Sequence, residues 1–239
     1  GAVNFVMPTG YNSDLFGARA DVGSFGFHKL ALSSGAVSGP VDYFITGTWR
    51  ESDGFREHSN YESVRGSMNV GFRLNENVES RFYLNASDVE QQIPGQVSKH
   101  QALTAPKQAA ARNIAQNWQL NTESVRVANK TTVRLSAGTT VELGAFYYTN
   151  VTDHPIAIYI DWENEDYGGF GRVTDARLIG GFKNRFVGGV NVHNGVIDNK
   201  MFVNVGNATK GFQFHDSEDK SRNTAVYAEN SFFFLDNVA

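Results

Sequence analysis

From Val64 to Leu74 apolar and polar side chains alternate one by one. Val64, Gly66, Met68, Val70, Phe72 and Leu74 hold the even positions, and Arg65, Ser67, Asn69, Gly71 and Arg73 fall between them. Successive side chains of a strand point to opposite faces, so this stretch predicts a strand with one apolar and one polar face. Asn75-Glu76-Asn77 supplies a turn. Val78, Ser80, Phe82, Leu84 and Ala86 then line one face, with Glu79, Arg81, Tyr83 and Asn85 on the other. The unit is a hairpin of two long strands with the same sidedness.

The pattern recurs along the chain. Strands are predicted at Leu15 to Val22, about Phe27 to Ser34, and Val41 to Arg50, where Phe44 interrupts the polar face. Others are predicted at Trp118 to Leu135, from Val141 to Asn150, at Arg172 to Phe182, and at Arg185 to His193 with Lys183-Asn184 as their turn. A last strand starts near Asn223. Between them lie tracts without alternation. Glu90 to Gln116 contains APKQAAARNIAQ, where a proline followed by alanines predicts a short helix over Thr104 to Gln116. Val151 to Gly169 and Asn194 to Ser221 read as two further long loops.

Short connections near 37–40, 75–77, 137–139 and 183–184 thus alternate with longer ones near 51–60, 89–117, 151–169 and 194–221, on which side the turn Gly23 to Gly26 is the short member. In an up-and-down sheet alternate connections share a rim, so long loops gather on one rim and tight turns on the other. Outer-membrane barrels are built this way, apolar outside and polar inside. A soluble sandwich or lipocalin-like barrel also alternates, but its strands typically run about 5–6 residues, far shorter than these. The fold class expected is all-β: an antiparallel up-and-down meander that forms part of a transmembrane β-barrel.

Composition agrees. Aromatic residues make up 13% of the 239 residues, and there are 24 glycines and five prolines. A net charge of −4 with mixed signs offers no basic stripe for nucleic acid. The absence of cysteine excludes disulfides, thiolate metal sites and a cysteine nucleophile. No apolar run is long enough for a transmembrane helix. The six histidines show no i, i+2 or i, i+4 pairing, which argues against a direct metal site. No nucleophile or acid pair stands beside a histidine in a way that suggests an enzyme. A start at Gly1 and an end in SFFFLDNVA read as cuts through a longer protein.

Gly1-Ala2-Val3-Asn4-Phe5-Val6-Met7-Pro8-Thr9-Gly10 resembles the end of the plug domain of TonB-dependent outer-membrane receptors of the ferric-siderophore type. Gly23-Ser24-Phe25-Gly26 at a strand tip, Asp53-Gly54-Phe55-Arg56-Glu57-His58-Ser59 as an outer loop, Ile93-Pro94-Gly95 and Tyr227-Ala228-Glu229-Asn230 resemble further elements of that family, in the same order. The resemblance implies a division into residues 1–10, the end of the plug, and 11–239, the N-terminal portion of a 22-stranded barrel. About ten barrel strands would be present, as an open curved sheet rather than a closed one.

The resemblance also implies a function: TonB-dependent uptake of a ferric siderophore or similar chelate across the bacterial outer membrane. The partners would be that small molecule, outer-membrane lipid, and the TonB complex through a TonB box that lies outside this sequence. No cofactor is implied, because the ligand itself carries the iron. A passive porin, or uptake of a vitamin or sugar, are the other readings. Arg65, Arg73, Glu79, Arg81, Arg126, Arg134, Glu142, Asp175 and Arg177 are expected to face the lumen and plug. Arg56, His58, Gln91, Gln92, His154, Trp162 and Tyr167 are the loop candidates for ligand binding. Tyr43, Trp49, Tyr147 and Phe232 are expected as girdle aromatics at the lipid interface.

Overall fold

A computed structural model describes residues 6–234. The first five residues of the plug-like segment, Gly1 to Phe5, therefore lie outside the described residues. Ten strands follow one another: β1 Gly17–Val22, β2 His28–Ser38, β3 Val41–Ser52, β4 Tyr61–Arg73, β5 Val78–Gln91, β6 Asn121–Arg134, β7 Thr139–Pro155, β8 Ile158–Ile179, β9 Phe182–Asn204 and β10 Lys210–Phe233. Each pairs antiparallel with its sequence neighbours in a single sheet, and β1 and β10 are its two edges. The meander is open, as expected.

The register assigns the two faces. Tyr43, Val70, Phe82 and Asn129 form one cross-strand row, and Met68, Leu84, Val127 and Tyr147 another. These apolar rows share the outer face. The inner face carries Asp42, Gly71, Arg81 and Lys130 in one row. Burial is inverted relative to a water-soluble domain: the buried residues include Asp42, Ser63, Asn69, Arg81 and Thr152, while Leu30, Ile45, Val64, Phe82 and Leu143 are exposed. Apolar side chains that face outward from every consecutive strand suit a lipid surround. No helix among the described residues is long and apolar enough to cross a membrane, so any crossing is made by strands.

Three sequence expectations need correction. Val151 to Gly169 is not a loop, because β7 runs to Pro155 and β8 restarts at Ile158. Asn194 to Ser221 is not a loop either: β9 continues to Asn204 and β10 begins at Lys210. The turn between β8 and β9 is Gly180-Gly181, not Lys183-Asn184, and both glycines have positive φ, +59° and +85°. One cause underlies the first two. β8, β9 and β10 are 22, 23 and 24 residues long, whereas a bilayer needs only about 9–11 residues of strand. The surplus lies beyond the lipid-facing span, and part of it packs against the segment between β5 and β6, where Thr152, Ile160 and Asn204 are buried, so its ladder continues without a lipid-facing alternation. The long rim is raised by strand extensions more than by loops.

Glu90 to Gln116 does contain the one long loop expected in that region, but the helix expected over Thr104 to Gln116 is reduced to Ala111–Ala115 and a second, unexpected one precedes it. Lys99–Thr104 forms α1, closed by a capping box between Ser98 and Gln101, and Ala111–Ala115 forms α2. Pro106 lies between them. It lacks the N–H that a continuous helix would need there.

Candidate functional site

Residues 6–14 cross the inner face before β1 begins, and beside them opens a cleft of about 1210 Å³. Of the residues expected to face the lumen, Arg65, Arg73, Glu79, Arg81, Arg126, Arg134 and Glu142 all line this cleft. Asp175 and Arg177 do not. Cross-strand pairing places Asp175 opposite Thr139, on the same face as Val141 and Leu143. This ion pair, which also takes the Thr139 hydroxyl at 2.6 Å, therefore sits on the outer face close to the Gly180-Gly181 turn. The error came from assigning charge to the inside. At a strand end the outer face leaves the hydrocarbon and can carry charge.

The wall is divided into satisfied and unsatisfied charge. Arg81 is fully engaged: Nη2 binds Asp42 Oδ1 at 2.7 Å and Glu79 Oε1 at 3.1 Å, and Nη1 binds Asn69 Oδ1 at 2.6 Å. Glu142 joins Lys130 at 3.3 Å and also Arg172. By contrast, no carboxylate of the described residues pairs with Arg65, Arg73, Arg126 or Arg134. Arg65 reaches the Tyr61 hydroxyl, Arg126 lies 5.5 Å from the Phe146 ring centre, Arg73 lies 5.1 Å from that of Tyr11, and Arg134 meets the Glu76 carbonyl. The cleft thus presents guanidinium groups without counter-charge.

The loop candidates are dispersed. Arg56 donates to the carbonyls of Gly95, Pro94 and Gln108, and His58 Nε2 lies 3.0 Å from the Trp118 carbonyl. Both residues hold the 92–120 loop down rather than facing a ligand. The loop's other flank is tied to the β9–β10 hairpin, where Asn204 donates to the Gln116 carbonyl and the amides of Asn207 and Ala208 donate to the carbonyls of Ala115 and Gln116. His154 Nδ1 lies 2.6 Å from the Gln119 carbonyl, and Gln92 bridges to Gln119. Gln91 and Gln92 line a second hollow of about 400 Å³ with Glu51, Glu62 and Glu90. Trp162 belongs to β8, on the inner face, and its indole N–H donates to Asn199 Oδ1 at 2.6 Å. Tyr167 lies on the outer face, cross-strand to Tyr147, so it stands with the girdle aromatics and not in a loop.

The Arg56 contacts carry a prediction. Arg56→Ala removes a donor from three carbonyls of the 92–120 loop, of which only that of Pro94 keeps another, the Ala110 amide. Limited proteolysis of the folded protein should then cut within 95–110 several-fold faster, while the strands stay protected. Unchanged cleavage would show that the β9–β10 flank alone holds the loop.

Other inner-face residues were not singled out from the sequence. Tyr148, Asn150, Asn164, Asp166 and His193 stand above the cleft on the extended parts of β7, β8 and β9. Asn164 donates to Asn150 Oδ1 at 3.3 Å, and His193 Nε2 lies 3.0 Å from Asp166 Oδ1. The signal that would have found them is arithmetic: every second residue counted from Glu142 along β7, carried across the pairing. On the outer face of the same extensions, burial and then the hydrogen bond to Asp153 push the Tyr159 phenol well above its ordinary range. It stays a donor at any physiological pH. Among the described residues no group of histidine and carboxylate side chains could hold a metal ion.

No protein-family model matches the chain, but solved structures do. The ferric citrate transporter FecA in its unliganded form aligns with a TM-score of 0.76 over 91% of this chain and 34% of its own length, at 12% identity. The ferripyoverdine receptor of the outer membrane of Pseudomonas aeruginosa, bound to ferripyoverdine, aligns at 0.78, over 94% and 36%, also at 12% identity. The fold is that of part of a TonB-dependent receptor barrel. The open form of the ferric-catecholate import receptor Fiu from E. coli K12 aligns at 0.75, over 94% of this chain and 43% of Fiu, at 11% identity. The chain spans about two-fifths or less of the solved chains it matches. All three are named as transporters or receptors. At 11–12% identity the likeness lies in the fold.

Proposed function

We propose that this chain is part of a receptor that carries a ferric siderophore or similar chelate across the bacterial outer membrane, powered through a TonB complex that engages a segment outside this sequence. The observation that carries the reading is the course of residues 6–14 across the inner face. An open diffusion pore has no need of a chain laid over its inner wall. The neighbours named for ferric citrate, ferripyoverdine and ferric catecholate support the same direction. In this reading the iron stays in its chelate and takes no ligand from the protein. The ligand meets the upper inner face, where Trp162, Asn199, Asn150, Asn164 and His193 offer an aromatic surface with hydrogen-bonding groups. Unpaired Arg65 and Arg126 lie below.

A strain deleted for the full-length gene should lose uptake of at least one of a panel of radiolabelled ferric chelates, and the complemented strain should regain it. Loss of vitamin or sugar uptake instead would keep the transporter and remove the iron. Loss of unselective permeation to small solutes would replace the receptor with a porin.

A further inference from the structure

The chain enters the sheet from inside and is fastened to strands other than the one it leads into. The Gly10 amide donates to Asp42 Oδ2 of β3 at 3.0 Å, and the Asn69 side-chain amide of β4 donates to the Pro8 carbonyl at 2.9 Å. The turn between these points is closed on itself. The Thr9 amide donates to Asn12 Oδ1 at 2.6 Å, and the Ser13 hydroxyl donates to the Thr9 carbonyl at 2.8 Å. It also fits without spare room, since a Cβ at Gly10 would run into the Ala36 carbonyl.

The two wall groups that hold the turn cannot swing away. Arg81 of β5 grips both, through Nη1 to Asp42 Oδ2 at 2.8 Å and to Asn69 Oδ1 at 2.6 Å. Asp42, Asn69 and Arg81 are 2%, 1% and 5% exposed. Charge-assisted hydrogen bonds out of water are stronger than neutral ones in water. Upstream the character changes: Val6 is 82% exposed. Segments with few buried contacts open at much lower cost than those fixed by buried polar groups.

We propose that Asp42, Asn69 and Arg81 form a latch that fixes residues 8–10 to the wall, so that movement of the chain upstream ends at Pro8. The proposal stands apart from what the protein transports. The latch joins three strands to one short segment, so the fixed part of the chain begins inside the lumen, at Pro8, and not at the start of β1.

The test is a spin label at Thr9 (T9C), inside the latched segment, in the full-length protein in lipid vesicles, read by electron paramagnetic resonance. With the wall intact the spectrum should be dominated by an immobilised component. That component should be lost with Asn69→Ala, which leaves the Asp42–Arg81 pair in place. It should also be lost with the exchange Asp42→Arg plus Arg81→Asp, which keeps an ion pair but turns a guanidinium toward the Gly10 amide. Heat-modified mobility on a gel verifies that each barrel is folded, and where the exchange does not fold, Asn69→Ala decides. A mobile label in the unaltered protein, or an immobilised one in the folded Asn69→Ala protein, overturns the latch.

Discussion

Arg81→Met should lower the unfolding free energy of the full-length protein by about 3–5 kcal/mol, the usual loss when one member of a buried ion pair is removed. The size follows from what is left behind. Asp42, whose side chain is 3% exposed, would keep its charge with only the Gly10 amide to answer it. Asn69 Oδ1 would lose its donor, and Glu79 would lose its partner. Methionine fills the space but supplies no donor. Gly71 shows how tightly the site is built, because a Cβ there would run into both the Arg81 guanidinium and the Asp42 carboxylate. Arg19→Met is the reference. Its guanidinium, 72% exposed, pairs with Asp21, and exposed pairs are worth about 0–1 kcal/mol. Urea unfolding of both variants in detergent micelles makes the comparison. Equal midpoints for the two would mean that water reaches Arg81 and that the network is not buried. A double variant, Arg81→Met with Asp42→Leu, should recover part of the loss but not all, since the Gly10 amide and Asn69 Oδ1 still need partners.

How far the sequence could be read depended on where each segment stands relative to the membrane. In Val41–Arg50, Val64–Leu74 and Val78–Ala86 alternation alone put the side chains on the faces that the register gives them. There, lipid on one side and a polar lumen on the other demand opposite chemistry at successive residues. Beyond Asn150 in β7, and through most of β9 and β10, neither face has to meet lipid, and part of the inner face packs under the 92–120 loop. Backbone hydrogen bonding keeps the strand, and it leaves no mark on hydropathy. Tyr167 and Trp162 were taken for loop residues for that reason. Asp175 and Arg177 fail differently. Their strand was found, but the rule that charge points inward holds only within the hydrocarbon layer. Arg56 and His58 could not be read at all, because their partners are backbone carbonyls 38 to 60 residues away. The seven expected charges that line the cleft fall on the polar positions of alternating strands, which is the signal that singled them out. The latch was half legible: Asp42, Asn69 and Arg81 lie on the polar face of the sequence pattern, yet nothing in that pattern says that they meet one another.

The orientation of the sheet can be tested with one pair of substitutions that differ by a single position. Leu84→Arg should destabilise the protein by about 2–4 kcal/mol in lipid vesicles, the range for an arginine facing lipid near the bilayer midplane. Leu84 lies in the outer row Met68, Leu84, Val127 and Tyr147. On that face of β5 Leu84 stands six residues from Val78, where the strand leaves its short turn, and four from Asp88, which puts it well inside the hydrocarbon and too deep for the new guanidinium to reach the headgroups at no cost. Asn85→Arg adds the same side chain at the next position, on the inner face, where Asn85 lines the cleft. It should shift stability by no more than about 0.5 kcal/mol, as surface substitutions usually do. Its neighbours Arg65 and Arg126 would add some like-charge repulsion, which salt screens in a wet lumen. The difference between the two variants isolates the medium each face meets, since charge, size and strand are the same. The assignment of lipid to the outer face would fail if Asn85→Arg proved the more damaging. Equal small effects would mean that neither face meets hydrocarbon, and the chain would then have to be a water-exposed sheet despite its fold. In detergent the gap between the variants should narrow, because a micelle deforms around a misplaced charge more readily than a bilayer does.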